Sequence, residues 1–383
     1  MADSLLPDTS NLRCWAEIDL EALRHNAAVC RSLSGRNCGV MAIVKADAYG
    51  HGLERVVAAL SESADWFGVA NVREAERARS VTRNAPTGIL ILSPATPAEI
   101  EPIIAGGFSG SVSTIEEVDA YNTAASCLEM TVNLHAVADT GMGRMGAPPE
   151  SFVALVSAIR DGRHTELEGI DTHFPSADED PEFTQSQIEQ FSGLLKEIAP
   201  ESSCHIHLGN SAGLIGFHNE TPFATLTRPG LALYGINPMN SESTPSEPEL
   251  LPVMSLKTRV TLVREIPPDT SISYGRTFIS SRPMTVATLG VGYGDGYLRH
   301  LSGVGAEVLI GGTRCPLLGR VTMDQIVVDV SHLNTKVRCG DVATLIGNQG
   351  EMNITANDLA AKAGTIPWEI LTGITSRVER VST

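Results

Sequence analysis

Val44-Lys45-Ala46-Asp47-Ala48-Tyr49-Gly50-His51-Gly52 follows directly on the apolar run Cys38-Gly39-Val40-Met41-Ala42-Ile43 and puts a lysine where a buried strand stops. Such a lysine has its stem in a core and its amine at the rim. Burial disfavours the ammonium, so the amine becomes a nucleophile able to condense with an aldehyde. Pyridoxal phosphate is the obvious aldehyde cofactor. Tyr49 lies within reach of its phosphate, and the glycines around His51 let the backbone turn tightly. An isolated Val-Lys-Ala would read as a snorkelling surface lysine at a strand end. The rest of the chain decides between the two.

Working outward, short apolar runs at 38–44, 66–70, 88–92, 108–113, 130–138, 167–172, 204–208 and 225–227 alternate with helix-like stretches at 72–81, 97–105, 115–125, 151–160 and 183–198. Eight strand-then-helix units predict a parallel (β/α)8 TIM-like barrel, with a doubly wound open sheet as the alternative. Function in such a barrel sits at the C-terminal rim of the strands. Lys45 ends the first strand, His173 the sixth, His207-Leu208-Gly209-Asn210-Ser211 the seventh and Arg228-Pro229-Gly230-Leu231 the eighth. Ser211 opens a helix, so its hydroxyl and the neighbouring amides form an anion site, with helix capping as the plainer role. Gly230 can bring another amide to the same phosphate.

Between the fifth and sixth strands, the glycines of Asp139-Thr140-Gly141-Met142-Gly143-Arg144-Met145-Gly146 would bend a loop across the barrel mouth and aim Arg144 inward. There it can pair with a carboxylate or a phenolate, or else stay a solvated loop arginine. A polar, proline-bearing stretch at 238–248 reads as a linker. Beyond it the runs at 257–266, 285–292, 306–310, 325–330 and 341–346 predict a mostly β domain, with one helical pattern at 355–363. The expected domains are a barrel over 1–240, whose N-terminal segment is free to join the β domain, and a β-rich domain over 241–383. The second carries Tyr274 on a turn and Tyr293 in a glycine-rich loop. Lone tyrosines in β domains are mostly packing residues.

Composition narrows the function classes. A formal charge of −17 and the absence of any basic run argue against nucleic acid or an anionic membrane surface as partner. No signal peptide or span of transmembrane length is visible. The seven cysteines, at 14, 30, 38, 127, 204, 315 and 339, form no CxxC pair, which fits reduced thiols in the cytosol and gives no zinc pattern. No metal is expected.

The motifs AEIDLEALRHN, VKADAYGHG, DTGMGRMG, THFPSADE, HLGNSAG, RPGLALYG, SYGRTF, GYGDGY and GRVTMDQ, in this order over essentially the full length, resemble the alanine racemase family of fold-type III pyridoxal phosphate enzymes. The resemblance implies a homodimer in which each active site borrows residues from the partner's second domain. Lys45 would hold the cofactor as a Schiff base, and Tyr274 of the partner subunit would face it. Racemisation needs a base on one face of the α-carbon and an acid on the other, because a single base mostly returns the proton to the side it left. By analogy, Lys45 takes the proton of the D-enantiomer and Tyr274 that of the L-enantiomer. His173, linked to Arg228, would hydrogen-bond the phenol.

Arg228 matches the residue facing the pyridine nitrogen. An arginine stays protonated and denies that nitrogen a full proton, which limits delocalisation into the ring and suppresses decarboxylation and transamination. The resemblance further implies phosphate contacts from Tyr49, Ser211, Gly230 and Leu231. Arg144, Met323, Asp324 and Tyr293 would meet the substrate.

Two departures stand out. Many relatives carry a carbamylated lysine where this chain has Val137, so a small anion, another carboxylate or a looser Arg144 is expected instead. Several relatives carry a pocket-narrowing tyrosine where Ser376 stands, so a serine or broad-specificity racemase is an alternative to alanine. A non-catalytic pyridoxal phosphate carrier would lack the second domain and its tyrosine. A decarboxylase of this fold would bring a catalytic cysteine and an acidic partner for the ring nitrogen, where Arg228 stands.

Overall fold

A computed structural model describes residues 8–82, 87–239 and 248–383; most of the linker at 238–248, and the first seven residues of the chain, lie outside the described residues. The chain forms two compact units. One comprises Glu21–Ala48 and Leu53–Leu251, the other the residues up to Leu20, Tyr49–Gly52 and Pro252–Thr383.

In the first unit, eight parallel strands close into a barrel: Gly39–Ile43, Trp66–Val69, Gly88–Ile91, Ser109–Val112, Val132–Val137, Thr165–Asp171, His205–His207 and Leu226–Thr227. The last pairs with the first through Gly39–Leu226 and Val40–Thr227. Helices cover the outside, so the strands are largely buried and read as short runs, with Ser109, Ser111, His135, Asp171 and His207 as buried polar exceptions. Local chemistry sets the helix starts. Asn71 accepts from the Glu74 amide, Thr114 and Glu117 form a reciprocal capping box, and Asp180 accepts from the Phe183 amide ahead of Pro181. The helix expected at 97–105 begins only at Ile100, because Glu99 folds back to accept from the Thr96 amide and hydroxyl and holds a turn instead.

The second unit is a nine-stranded sheet. Its longest strand, Met254–Ile266, pairs with Cys14–Ile18 on one side and Met284–Leu289 on the other. Val342–Gln349 also pairs with it and bends the sheet back on itself. Residues 254–261 of that strand alternate buried and half-buried, as one covered face requires. A second helix, Pro367–Thr372, escapes the sequence pattern because six residues are too few to show a period; proline at its first turn starts it. Ser271–Ile272 and Phe278–Ile279 form a small ribbon. Ile266, Ile272, Met284, Val286 and Leu318, with Phe278 and Val327 against them, anchor that ribbon and the Tyr274 turn between its strands.

Candidate active site

The strand Gly39–Ile43 leads into Lys45, and the four residues that follow turn the wrong way. Ala46, Asp47, Ala48 and Tyr49 all have φ of 53–55°, one turn of left-handed helix built without a glycine. Each such residue costs about 1–2 kcal/mol, so the turn needs external support. Glu74 supplies part of it, accepting from the Ala46 amide at 2.8 Å while its other oxygen holds the Ala70 amide. Asp47 accepts from the Leu53 amide at 3.1 Å and pairs with Arg77 at 2.7 Å. Lys45 is left half-buried at the strand end. Burial, with Arg144 and Arg228 adding to it, holds its ammonium below the ordinary lysine range.

Arg228 follows the eighth strand and is 4% exposed. Its Nη1 donates to Asp171 Oδ2 at 3.2 Å, to the His207 carbonyl at 2.9 Å and to His207 Nδ1 at 2.5 Å. Its Nη2 donates to the Thr172 carbonyl at 2.7 Å and to His173 Nδ1 at 3.2 Å. Nε is the one guanidinium nitrogen with no acceptor among the described residues. Because arginine only donates, His173 accepts at Nδ1 and keeps its proton on Nε2. Burial and the charges of Arg228, Arg144 and Lys45 push His173 down to about 3, so this neutral tautomer persists. Burial lowers Arg228 as well, against the opposing pull of Asp171. Burial raises Asp171, whose Oδ1 has no partner among the described residues.

The helix Ser211–Phe217 is capped by Asn210, which accepts from the Gly213 amide, so Ser211 is free of the capping role. The Ser211 hydroxyl oxygen instead accepts from the Gly230 and Ala232 amides at 2.9 and 3.1 Å. That leaves the Ser211 O–H to donate to a further group. Leu231 opens the short turn Leu231–Tyr234, and its amide has no acceptor within the turn, whereas the Gly230 amide expected at the phosphate and that of Ala232 are taken by Ser211. The Ser211 hydroxyl and the Leu231 amide together make a donor pair that suits a phosphate.

The Arg144 loop is shaped by Asp139, which accepts from the Gly141 and Gly143 amides at 2.9 and 3.1 Å. Gly146, at φ 105°, passes so close to the Asp139 amide that a Cβ would sit 2.7 Å from it. Arg144 itself is exposed and has no hydrogen-bond or ion-pair partner among the described residues. Val137 is a buried apolar side chain, and among the described residues no carboxylate pairs with Arg144.

In the other unit, Tyr274 is 72% exposed, Met323 53% and Tyr293 42%. Backbone contacts gather their loops. Tyr293 and Gly294 donate to the carbonyls of Thr322 and Met323, and the Ser273 hydroxyl donates to the Arg320 carbonyl at 2.6 Å. Ser273 has φ 64° and ψ −175°, a region that glycine alone adopts freely, so the Tyr274 turn is strained too. Asp324 pairs with Arg377 at 2.8 Å, next to the exposed Ser376. Tyr49 is buried, which pushes its phenol up to about 12.

Sequence reasoning missed Asp171, His135 and Glu168. The signal was the two-residue alternation of a strand. If Val137 faces the barrel interior, so does His135, and Asp171 lies opposite Val137 in register. Among the described residues there is no group of His, Cys, Asp and Glu fit to hold a metal, and no helix long and apolar enough to cross a membrane.

The family model described as the alanine racemase N-terminal domain matches residues 18–238, and that of the alanine racemase C-terminal domain matches 253–382. The chain is 39% identical over 376 residues to the alanine racemase of Geobacter sulfurreducens, covering 96% of each, and 40% identical over 370 residues to that of Symbiobacterium thermophilum, again covering 96% of each. Among solved structures it superposes on the alanine racemase of Clostridium difficile 630 with a TM-score of 0.90 at 31% identity, covering 97% of this chain and 96% of that one. The alanine racemase of Bacillus anthracis with bound L-Ala-P gives a TM-score of 0.87 at 33% identity, covering 97% and 95%.

Proposed function

Since the chain belongs to the alanine racemase family and, as an isomerase, interconverts L- and D-alanine, we propose that it does so with pyridoxal phosphate and two opposed acid–base groups, Lys45 and Tyr274. The observation that carries this reading is the disposition of donors around Arg228. Both terminal nitrogens are tied to the protein, and Nε–H alone is left to meet a ring nitrogen. The free Ser211 O–H and the Leu231 amide suit the phosphate, with Tyr49 as a further contact.

When bound, pyridoxal phosphate supplies the aldehyde for Lys45 and the electron sink that acidifies the α-proton of alanine. Lys45 Nζ, with its charged form disfavoured by burial, takes or returns that proton on one face. Tyr274 of the partner subunit does the same on the other. His173, held neutral with its proton on Nε2, donates to the phenol oxygen and stabilises the phenolate. Arg228, always a donor, withholds a proton from the ring nitrogen and so favours return of the proton to the α-carbon. Arg144, Tyr293, Met323 and Asp324 orient the substrate carboxylate.

A homodimer in the cytosol is part of the same proposal. The exposure of Tyr274, Tyr293 and Met323 on one unit supports the first, and seven free thiols support the second. The test is to add pyridoxal phosphate to the purified protein and follow alanine racemisation together with its visible absorbance band. Borohydride should remove the band and fix the cofactor on Lys45. A band that survives in Lys45→Ala, or racemisation without the cofactor, would overturn the reading.

A further inference from the structure

Beneath Arg228 the barrel interior is filled by hydrogen-bonding side chains whose donor and acceptor roles are set from one end. Arginine can only donate, so His207 accepts at Nδ1 and must carry its proton on Nε2. That proton points at His135 Nδ1, 2.8 Å away. His135 therefore keeps its own proton on Nε2, 3.3 Å from Glu168 Oε2. The series Arg228, His207, His135, Glu168 runs from a cation to a carboxylate with every bond pointing the same way. Burial and the charge of Arg228 hold His207 far below the usual histidine range, in the neutral form the series requires.

The backbone is shaped for this series. Leu134 pairs with Leu167 but His135 pairs with Gly169, so Glu168 is the extra residue of a β-bulge. A strand alternates its faces, and without the bulge Glu168 and Asp171, three residues apart, would point in opposite directions. Here both turn to the interior, Asp171 to Arg228 and Glu168 to His135, Ser109 and Asn133. Gly169 gives the ring its space: a Cβ there would lie 2.2 Å from His135 Nδ1. Trp66 stands edge-on to His135 and to His205, with ring centroids 5.5 and 5.2 Å apart, and closes the series from the side. Ser109, His205 and Trp66 are each the first residue of a strand, so Glu168 sits toward the end of the barrel away from Lys45.

We propose that Glu168, His135 and Gly169 are positioning residues for racemisation, which through His207 fix the rotation of the Arg228 guanidinium and keep its Nε–H on the ring nitrogen. The proposal rests on the reading of Arg228 given above. A broken series frees His207 to take its other tautomer, and an Nδ1–H there meets the Nη1–H of Arg228, donor against donor. Arg228 then gives up one of its acceptors and turns.

The test combines histidine side-chain ¹⁵N NMR with kinetics on the full chain, with and without pyridoxal phosphate. Two variants break the series at different points: Gly169→Ala displaces the His135 ring, and Glu168→Leu removes the terminal acceptor. Glu168→Gln keeps an acceptor. The wild type should show His207 protonated on Nε2 alone. Both breaking variants should show mixed tautomers and a kcat about tenfold lower with KM little changed, as loss of an outer supporting hydrogen bond typically gives. Glu168→Gln should restore both signals. A wild-type His207 protonated on Nδ1 would overturn the proposal, as would a tautomer that shifts in both variants while kcat stays level. If the wild type fails to racemise alanine, the parent reading of Arg228 falls as well, and the tautomer measured without cofactor tells the two failures apart.

Discussion

The candidate residues of the barrel unit and those of the β unit are built on opposite plans. Lys45, His173 and Arg228 are buried or half-buried, the latter two are hydrogen-bonded within their own unit, and burial moves the titration of all three. Tyr274, Tyr293 and Met323 are held by backbone contacts under their loops while their side chains face solvent. A side chain that owes its chemistry to burial needs only its own fold, whereas one presented bare acquires its environment from whatever covers it. The contrast fits a site finished by a second copy of the chain. The sharpest way to break it is to mix two inactive variants. Lys45→Ala and Tyr274→Phe alone should each lose at least about 10³-fold in kcat, the usual worth of an acid–base group. In mixed dimers one site of two recovers both groups, so random exchange should return about a quarter of wild-type activity. If the two residues act within one chain, mixing returns nothing.

Stability should divide along the same line. Arg228 and Asp171 form a buried pair, and Asp171→Ala leaves an uncompensated cation in the barrel. Its cost should be about 3 kcal/mol or more in denaturant unfolding of the cofactor-free protein. Tyr274→Ala, on an exposed side chain, should stay within about 0.5 kcal/mol. Equal costs would erase the distinction between a prepared half and a presented half.

The same asymmetry accounts for what could be read from the sequence. The barrel strands were legible because burial writes short runs rich in apolar residues between helical stretches, and Lys45, His173 and Arg228 were legible because rim positions follow directly from strand ends. The left-handed turn after Lys45 was not, since Ala-Asp-Ala-Tyr carries none of the glycine that normally announces positive φ. Asp171, His135 and Glu168 were hidden for a related reason. The polar alternation of Asn133 and His135 lapses at Val137, and the bulge at Glu168 shifts the period of the neighbouring strand partway along. The loops of the β unit proposed to meet the substrate were singled out only through family motifs, because nothing in a lone exposed tyrosine marks it as more than surface.

Acid stability sharpens the comparison further. The ordinary histidine value of 6.5 applies to His173 in the unfolded chain and about 3 in the folded one. Below 6.5 the unfolded chain therefore binds a proton that the fold refuses. The stability due to neutral His173 is fully present above that pH and declines as the pH falls toward 3, at up to about 1.4 kcal/mol per unit. His173→Gln should flatten the fall in unfolding free energy between neutral pH and pH 5. An unchanged slope would mean that His173 is not kept neutral by its burial.

The smallest effect concerns the turn that holds Lys45. If its four positive-φ residues are strained, glycine at the exposed Ala46 removes a Cβ clash worth about 1 kcal/mol without opening a cavity. The extra freedom of glycine in the unfolded chain offsets about 0.4–1 kcal/mol of that gain. Ala46→Gly should thus change stability by between zero and about 0.6 kcal/mol, in the stabilising direction, where an ordinary right-handed helix would lose about 1 kcal/mol. The Glu74 and Asp47 hydrogen bonds remain, so Lys45 should capture pyridoxal phosphate at an undiminished rate. A destabilisation of helical size would show that the turn is not left-handed in solution. A slower capture at unchanged stability would instead show that the strain itself, and not the hydrogen bonds beneath it, keeps the lysine in place.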